Sequence, residues 1–225
     1  MKDPPAISHL ERFAMTSPWV VVTGLDGSGK TTLVSSLAEH LKAQKFRLPY
    51  HDFVRDCLAR SGDGSPFGDA HTDRLLFALD ARLANYFIRT SRSNNISLVS
   101  QRGWMDNFIF GAVQGISYEQ TEAMLRTAEL ERPTAHICLI AEPEVAFARL
   151  QSCAYRDKYE TEEFIARQHL ETTRFFDCVL AEDSALQCFR GIPTILIDTT
   201  HRTHHQTCLE AMAFLDGPKA RAAQA

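Results

Sequence analysis

The stretch GLDGSGKTT, residues 24–32, follows directly on the apolar run WVVVT at 19–23. Gly24, Gly29, Lys30 and Thr31 satisfy the spacing G-x-x-x-x-G-K-[ST]. Glycines at these places let the backbone wrap so that several N–H groups point inward at one anion, and the helix that follows adds its positive N-terminal end. Gly24, Gly27, Ser28, Gly29, Lys30, Thr31 and Thr32 are therefore read as a cradle for the phosphates of a nucleoside triphosphate. Lys30 reaches the β- and γ-phosphates, and the Thr31 hydroxyl is the expected ligand of Mg²⁺. The place of the motif, after a strand and before a helix, is what gives it meaning.

Outward from the cradle, strand-like and helix-like runs alternate. PWVVVTG (18–24) is a β-branched run suited to a strand buried on both faces. Leu33, Leu37 and Leu41 mark the helix after it. FRLPYHDF (46–53) is the second strand expected, weakened by Pro49, and SGDGSPFGDAH (61–71) is a loop. Leu75, Leu79, Leu83 and Tyr86 mark a long helix, and ISLVS (96–100) a third strand. Ser117 with Gln120 forms a capping box that opens a helix to about Arg132. AHICLI (135–140), the helix from Pro143, a long helix over 161–182, TILID (194–198) and a last helix complete the series. Such alternation predicts a parallel sheet covered on both faces.

The chain has 225 residues, 44% of them hydrophobic and 23% charged, which fits one domain with a full core. A formal charge of −4 lacks the basic footprint of a protein that holds extended nucleic acid. No apolar run approaches membrane-spanning length, and MKDPPAISHLERFAMTSP (1–18) does not read as a signal peptide. The six cysteines include no C-x-x-C pair, so free thiols in a reducing cytosol are expected. The doublet His204–His205 reads as surface. A cradle alone names no reaction. The chain has no N-K-x-D segment of a GTPase, and ISLVSQ ends without the carboxylate of a mechanical ATPase, so a small-molecule kinase is favoured.

Five segments together resemble the thymidylate kinase family of nucleoside monophosphate kinases, over about residues 19–215. GLDGSGKTT resembles the family's E-G-x-D-G-x-G-K-[ST]-[ST] loop, with Thr23 in place of Glu. HTDRLLFALDAR (71–82) resembles T-E-x-L-L-F-x-A-x-R, and SQRGWMDNFIFGA (100–112) resembles D-R-Y-x-x-S-x-x-A-[YF]. LIAEPEVAFARLQSCAYRDKYE (139–160) resembles L-D-x-P-P-E-x-A-x-x-R with a short lid, and ILIDTTHRTHHQT (195–207) the terminal I-D-A-S segment. The resemblance implies an α/β, three-layer αβα P-loop kinase fold with a five-stranded parallel sheet. It places a kinase domain at 18–215, a lid at about 152–160, an N-terminal extension at 1–17 and a tail at 216–225. It further implies a cytoplasmic homodimer that transfers phosphoryl from Mg-ATP to a deoxypyrimidine monophosphate, dTMP or a 5-substituted relative.

The resemblance also implies roles. Asp26 accepts a hydrogen bond from the acceptor's sugar 3′-hydroxyl, and Arg102 binds the acceptor phosphate. Phe77 stacks on the pyrimidine, Arg82 bonds its edge, and Phe110 crowds the 2′ position. Arg149 stacks on adenine. Arg156 and Lys158 close over the transferring phosphoryl from the lid, and Tyr159 faces the acceptor sugar. The family's F-P-x-R segment is blurred, with Arg55 a loose match.

Two departures stand out. Gln101 replaces the Asp of the family's D-R pair, which removes a charge beside the metal, with Asp106 the nearest acid to take its place. Phe77 and Arg82 are five apart where the family has four, a rotation of about 100° on a helix. Three alternatives stand beside this reading. One is a deoxynucleoside kinase using Asp52 or Asp56 as base. Another is a kinase of a modified pyrimidine in DNA. The third is a nucleotide-binding regulatory module with little turnover.

Overall fold

In the computed structural model, which describes residues 17–60, 68–152, 161–180 and 186–217, the β-branched run becomes the central strand β1, Trp19–Gly24. Every residue of β1 is buried, because helices cover both faces of the sheet. Four further strands lie parallel to it: β2 (Gln44–Arg47), β3 (Leu98–Gln101), β4 (Ala135–Ile140) and β5 (Thr194–Asp198), in the spatial order β2-β3-β1-β4-β5. The chain builds leftward from β1 through β3 and rightward through β4, so the carboxyl ends of β1 and β3 flank the crevice where such sheets bind ligands.

The covering helices are α1 (Lys30–His40), α2 (Asp52–Arg60), α3 (Ala70–Ser93), α4 (Asp106–Val113), α5 (Tyr118–Thr127), α6 (Pro143–Gln151), α7 (Glu162–Leu180) and α8 (His204–Asp216). One core lies between the sheet and α3, α4 and α7, built on Trp19, Met105, Phe108, Phe175 and Phe176. The other lies under α1 and α8, on Val20, Leu33, Leu37 and Ile197. Among the described residues no helix is long and apolar enough to cross a membrane.

Three sequence expectations shift. The second strand is QKFR at 44–47, not 46–53; the chain turns after it and α2 begins at Asp52. β2 is an edge strand paired only to β3, so its side chains stay largely exposed and polar and give no apolar signal. The helix opened by the Ser117–Gln120 capping box ends at Thr127 rather than near Arg132. Its continuation is held by side chains instead: the Glu129 carbonyl accepts from Arg82 and Asn85, and the Glu131 N–H donates to the Asn85 amide oxygen. On α3 the leucine stripe faces outward. Leu75, Leu79 and Leu83 are about half exposed and Tyr86 is 80% exposed, while Ala78, Ala81, Ala84 and Ile88 face the core. Small residues suit that inner side because the helix lies close against the sheet and α4.

A histidine sits at the centre of the sheet. His136 on β4 is fully buried, with Nε2 2.7 Å from the Thr23 hydroxyl and Nδ1 unpartnered. Burial pushes its pKa down from 6.5 to about 3. Below pH 6.5 the unfolded chain takes a proton that the folded ring refuses. This part of the stability is therefore complete above pH 6.5 and falls by about 1.4 kcal/mol per pH unit as the pH drops toward 3. Urea midpoints measured from pH 7 to 5 should decline more steeply for the wild type than for His136→Gln; parallel declines would contradict this assignment.

Candidate active site

The glycines of the cradle are fixed by contact as well as by torsion. Gly24 has φ +122°, and a Cβ there would stand 2.0 Å from the Leu139 carbonyl oxygen. At Gly27, φ +81°, a Cβ would meet the Ala146 carbonyl at 2.3 Å. The loop is thus pressed between β4 and α6, with the Leu25 N–H bonded to Leu139 at 2.9 Å. Gly29, in the left-handed region, starts α1. No side chain caps that helix and no acidic residue lies in its first turn, which leaves its N–H groups and positive end for an anion. Thr31 and Thr32 are exposed on the same turn.

Lys30 is 5% exposed, and its ammonium donates to the Gly24 and Leu25 carbonyls at 2.9 and 2.7 Å and to Asp26 Oδ1 at 2.9 Å. The same carboxylate oxygen receives the Arg102 guanidinium at 2.8 Å. Burial alone would raise the Asp26 carboxyl, but Arg102 and Lys30 outweigh it and hold the group well below the usual carboxylate range. Burial in turn lowers the Lys30 ammonium, against the pull of Asp26.

Arg102 follows β3 with φ 68°, a left-handed conformation that an arginine adopts at a cost of about 1–3 kcal/mol. Its N–H bonds the Val22 carbonyl at 2.8 Å, and Gly103 beside it leaves room for Val21. The strain turns the guanidinium across the crevice toward Lys30. Asp106, at the start of α4, lies 3.5 Å from Arg102 and accepts the Gly103 N–H at 2.8 Å. Burial raises its carboxyl, with Arg102 opposing. Gln101 ends β3 in register with Val22 on one side and Arg47 on the other.

Sequence reading overlooked Arg47, the last residue of β2. Partial burial and the nearby Arg102 and Arg55 charges push its pKa down from the ordinary value, with Asp26 and Asp106 opposing. The signal was available in its place at a strand's carboxyl edge, but β2 had been read two residues late. Arg55 instead braces the start of its own helix, donating to the Pro49 and Tyr50 carbonyls at 3.0 Å and pairing with Asp52. The Asp52 side chain is 86% exposed and Asp56 is exposed, so neither stands in the crevice as a sheltered base.

The acceptor-side residues divide. Phe110 carries the Arg102 guanidinium 4.8 Å from its ring centroid. Phe77 carries another guanidinium, that of Arg74, at 4.4 Å, and Arg74 is also 5.9 Å from Phe110. Arg74 is 5% exposed and was likewise missed by sequence reading. Arg82 does not join this group: it bonds the Glu129 carbonyl at 3.2 Å and its carboxylate at 3.2 Å. The rotation set by the five-residue spacing carries it to the far side of α3.

On the donor side, Arg149 of α6 donates to the Thr199 carbonyl at 2.8 Å and its hydroxyl at 3.2 Å, and to the Thr200 carbonyl at 3.3 Å. The Thr199 hydroxyl donates to Ser28 and Ile140 carbonyls, each at 3.1 Å, tying the loop after β5 to the cradle. Arg156, Lys158 and Tyr159 lie outside the described residues. His204 and His205 are exposed at the start of α8, and no cluster of three metal-ligating side chains occurs among the described residues.

The sequence profile of the family described as thymidylate kinase matches residues 22–187. The protein named "Probable thymidylate kinase" of Pyrobaculum calidifontis is 25% identical over 156 residues, 66% of this chain and 77% of the relative. That of Methanocaldococcus jannaschii is 24% identical over 197 residues, 88% of this chain and 95% of the relative. The solved thymidylate kinase of Candida albicans superposes with a TM-score of 0.67 over 92% of this chain and 94% of that one, at 14% identity, a likeness of fold. With the profile spanning most of the chain and the cradle, strand order and Arg102 in place, this chain belongs to the thymidylate kinase family.

Proposed function

We propose that the chain transfers the γ-phosphoryl group of Mg-ATP to the phosphate of dTMP, giving the diphosphate. The observation that carries this reading is the meeting of Lys30 and Arg102 on one oxygen of Asp26, at 2.9 and 2.8 Å. One cation belongs to the donor cradle and the other to the carboxyl edge of β3. Two anions repel until cations screen them, and fixed positive charge supplies most of the catalysis of phosphoryl transfer. In the proposed ternary complex Lys30 turns to the donor phosphates and Arg102 grips the acceptor phosphate with its planar fork. Asp26, relieved of both, accepts the sugar 3′-hydroxyl. Arg149 with the loop at Thr199–Thr200 forms the wall for adenine.

For Mg²⁺ the donor set fits: a hydroxyl, Thr31, on the first turn of α1 and a buried carboxylate, Asp106, are hard oxygen ligands of the kind Mg²⁺ takes beside phosphate oxygens and water. When bound, the ion neutralises charge on the β- and γ-phosphates. Asp106 stands in for the carboxylate absent at Gln101. Residues 18–215 form the proposed catalytic unit; Arg156, Lys158 and Tyr159, which the resemblance assigns to a lid, lie outside the described residues. The proposed setting is the cytosol, in keeping with five free thiols among the described residues. The proposed assembly is a homodimer joined through the outward stripe of α3, where Leu75, Leu79, Leu83 and Tyr86 present an exposed apolar face.

An ADP-release assay over nucleosides and nucleoside monophosphates should give the highest kcat/KM with dTMP; absence of turnover with every monophosphate would overturn the reading. Asp106→Asn should lower kcat by about 100-fold, and Gln101→Asp in that background should restore part of it. If the double variant is no better than the single one, Asp106 is not the replacement acid. Sedimentation should find a dimer for the wild type and a monomer for Leu79→Glu with Leu83→Glu; a wild-type monomer at assay concentration would remove the dimer.

A further inference from the structure

The acceptor side of the crevice contains a cation that the family-derived roles do not use. Arg74 is 5% exposed, yet its Nε–H has no partner. Its stem passes Gly111 of α4, where even a methyl group would approach Cδ to 3.8 Å, and its guanidinium lies against the Phe77 ring at 4.4 Å. Phe110 stands between two arginines, with Arg102 4.8 Å and Arg74 5.9 Å from its centroid. Two guanidiniums therefore lie near the Phe110 ring. Arg102 faces the phosphate cradle, and Arg74 lies deeper, between two phenyl rings.

A buried donor without an acceptor is costly, and a ligand oxygen placed there removes that cost. Arginine carries five donors and no acceptor. Burial brings the Arg74 pKa down to about 10, which leaves it charged at neutral pH. A flat head group that lies beside Phe110 and turns a carbonyl oxygen toward Arg74 is held. One that turns an amino group there sets donor against donor, and both groups stay unsatisfied.

Resting on the kinase reading above, we propose that Arg74, and not Arg82, reads the acceptor's base edge, so that the enzyme selects pyrimidines with a carbonyl at that edge, thymine and uracil, over cytosine, which has an amine. Phe77 on this view backs the guanidinium and does not stack on the base, since Arg74 covers its ring.

The test measures kcat/KM for dTMP, dUMP and dCMP, with calorimetric binding of dTMP and dCMP alongside, for the wild type, Arg74→Gln, Arg74→Lys and Arg82→Gln. The wild type should favour dTMP over dCMP by about 100-fold or more. Arg74→Gln, whose amide both donates and accepts, should lower kcat/KM for dTMP by about 100-fold, chiefly through KM. It should also bring the dTMP:dCMP ratio to within about tenfold, with the KM for ATP unchanged. Arg74→Lys keeps the charge without the planar fork and should fall between, with a thermal melt near wild type. Arg82→Gln should leave the ratio within about twofold. An unchanged ratio in both Arg74 variants, or a ratio that collapses in Arg82→Gln, overturns the proposal. If no variant turns over, the kinase reading fails, and the binding ratio of dTMP to dCMP still decides the role of Arg74.

Discussion

One carboxylate oxygen organises the crevice. Asp26 Oδ1 holds Lys30 from the cradle and Arg102 from the end of β3, and each cation is nearly buried. Without that anion, two positive groups would face each other in a site with little water, and neither would keep its place. The surrounding backbone serves this meeting. Gly24 lets the cradle press against Leu139, and the left-handed turn at Arg102 aims a side chain across the sheet that would otherwise follow the strand outward. The strain at Arg102 sits where the chemistry needs reach, as strained residues commonly do.

The order of the sheet explains why residues far apart in sequence converge there. Chain reversal about β1 opens a crevice at the carboxyl ends of β1 and β3. Lys30, Arg102 and Asp106 all follow those two strands directly. Arg149 comes from the other half, and the Thr199 hydroxyl links its loop to Ser28. The two halves of the sheet are thus joined through the cradle itself, with the loop after β5 bonded to it.

Much of this was legible in the sequence, and the exceptions share a cause. The cradle could be read because its chemistry is local: glycine torsions, one lysine and one hydroxyl within nine residues. The alternation of strands and helices gave the parallel sheet. Sequence periodicity marks α3 as a helix but not which side is buried, because its core-facing side is made of alanines and polar residues while its leucines face out. The resemblance points to Arg82 despite its altered distance from Phe77, and it assigns no role to Arg74 on the buried side. β2 was placed late because an edge strand paired on one side only can be polar, and with that shift Arg47 went unnoticed. Gln101 was recognised as a departure, but only the fold shows Asp106 3.5 Å from Arg102, two carboxylates thus sharing that guanidinium.

The outward leucine stripe of α3 has a bearing on how the protein behaves when dilute. In the proposed homodimer that exposed side is covered, so folding and association would be linked by mass action. The melting temperature of such a dimer rises with its concentration. A single value measured at one dilution describes that dilution and not the polypeptide.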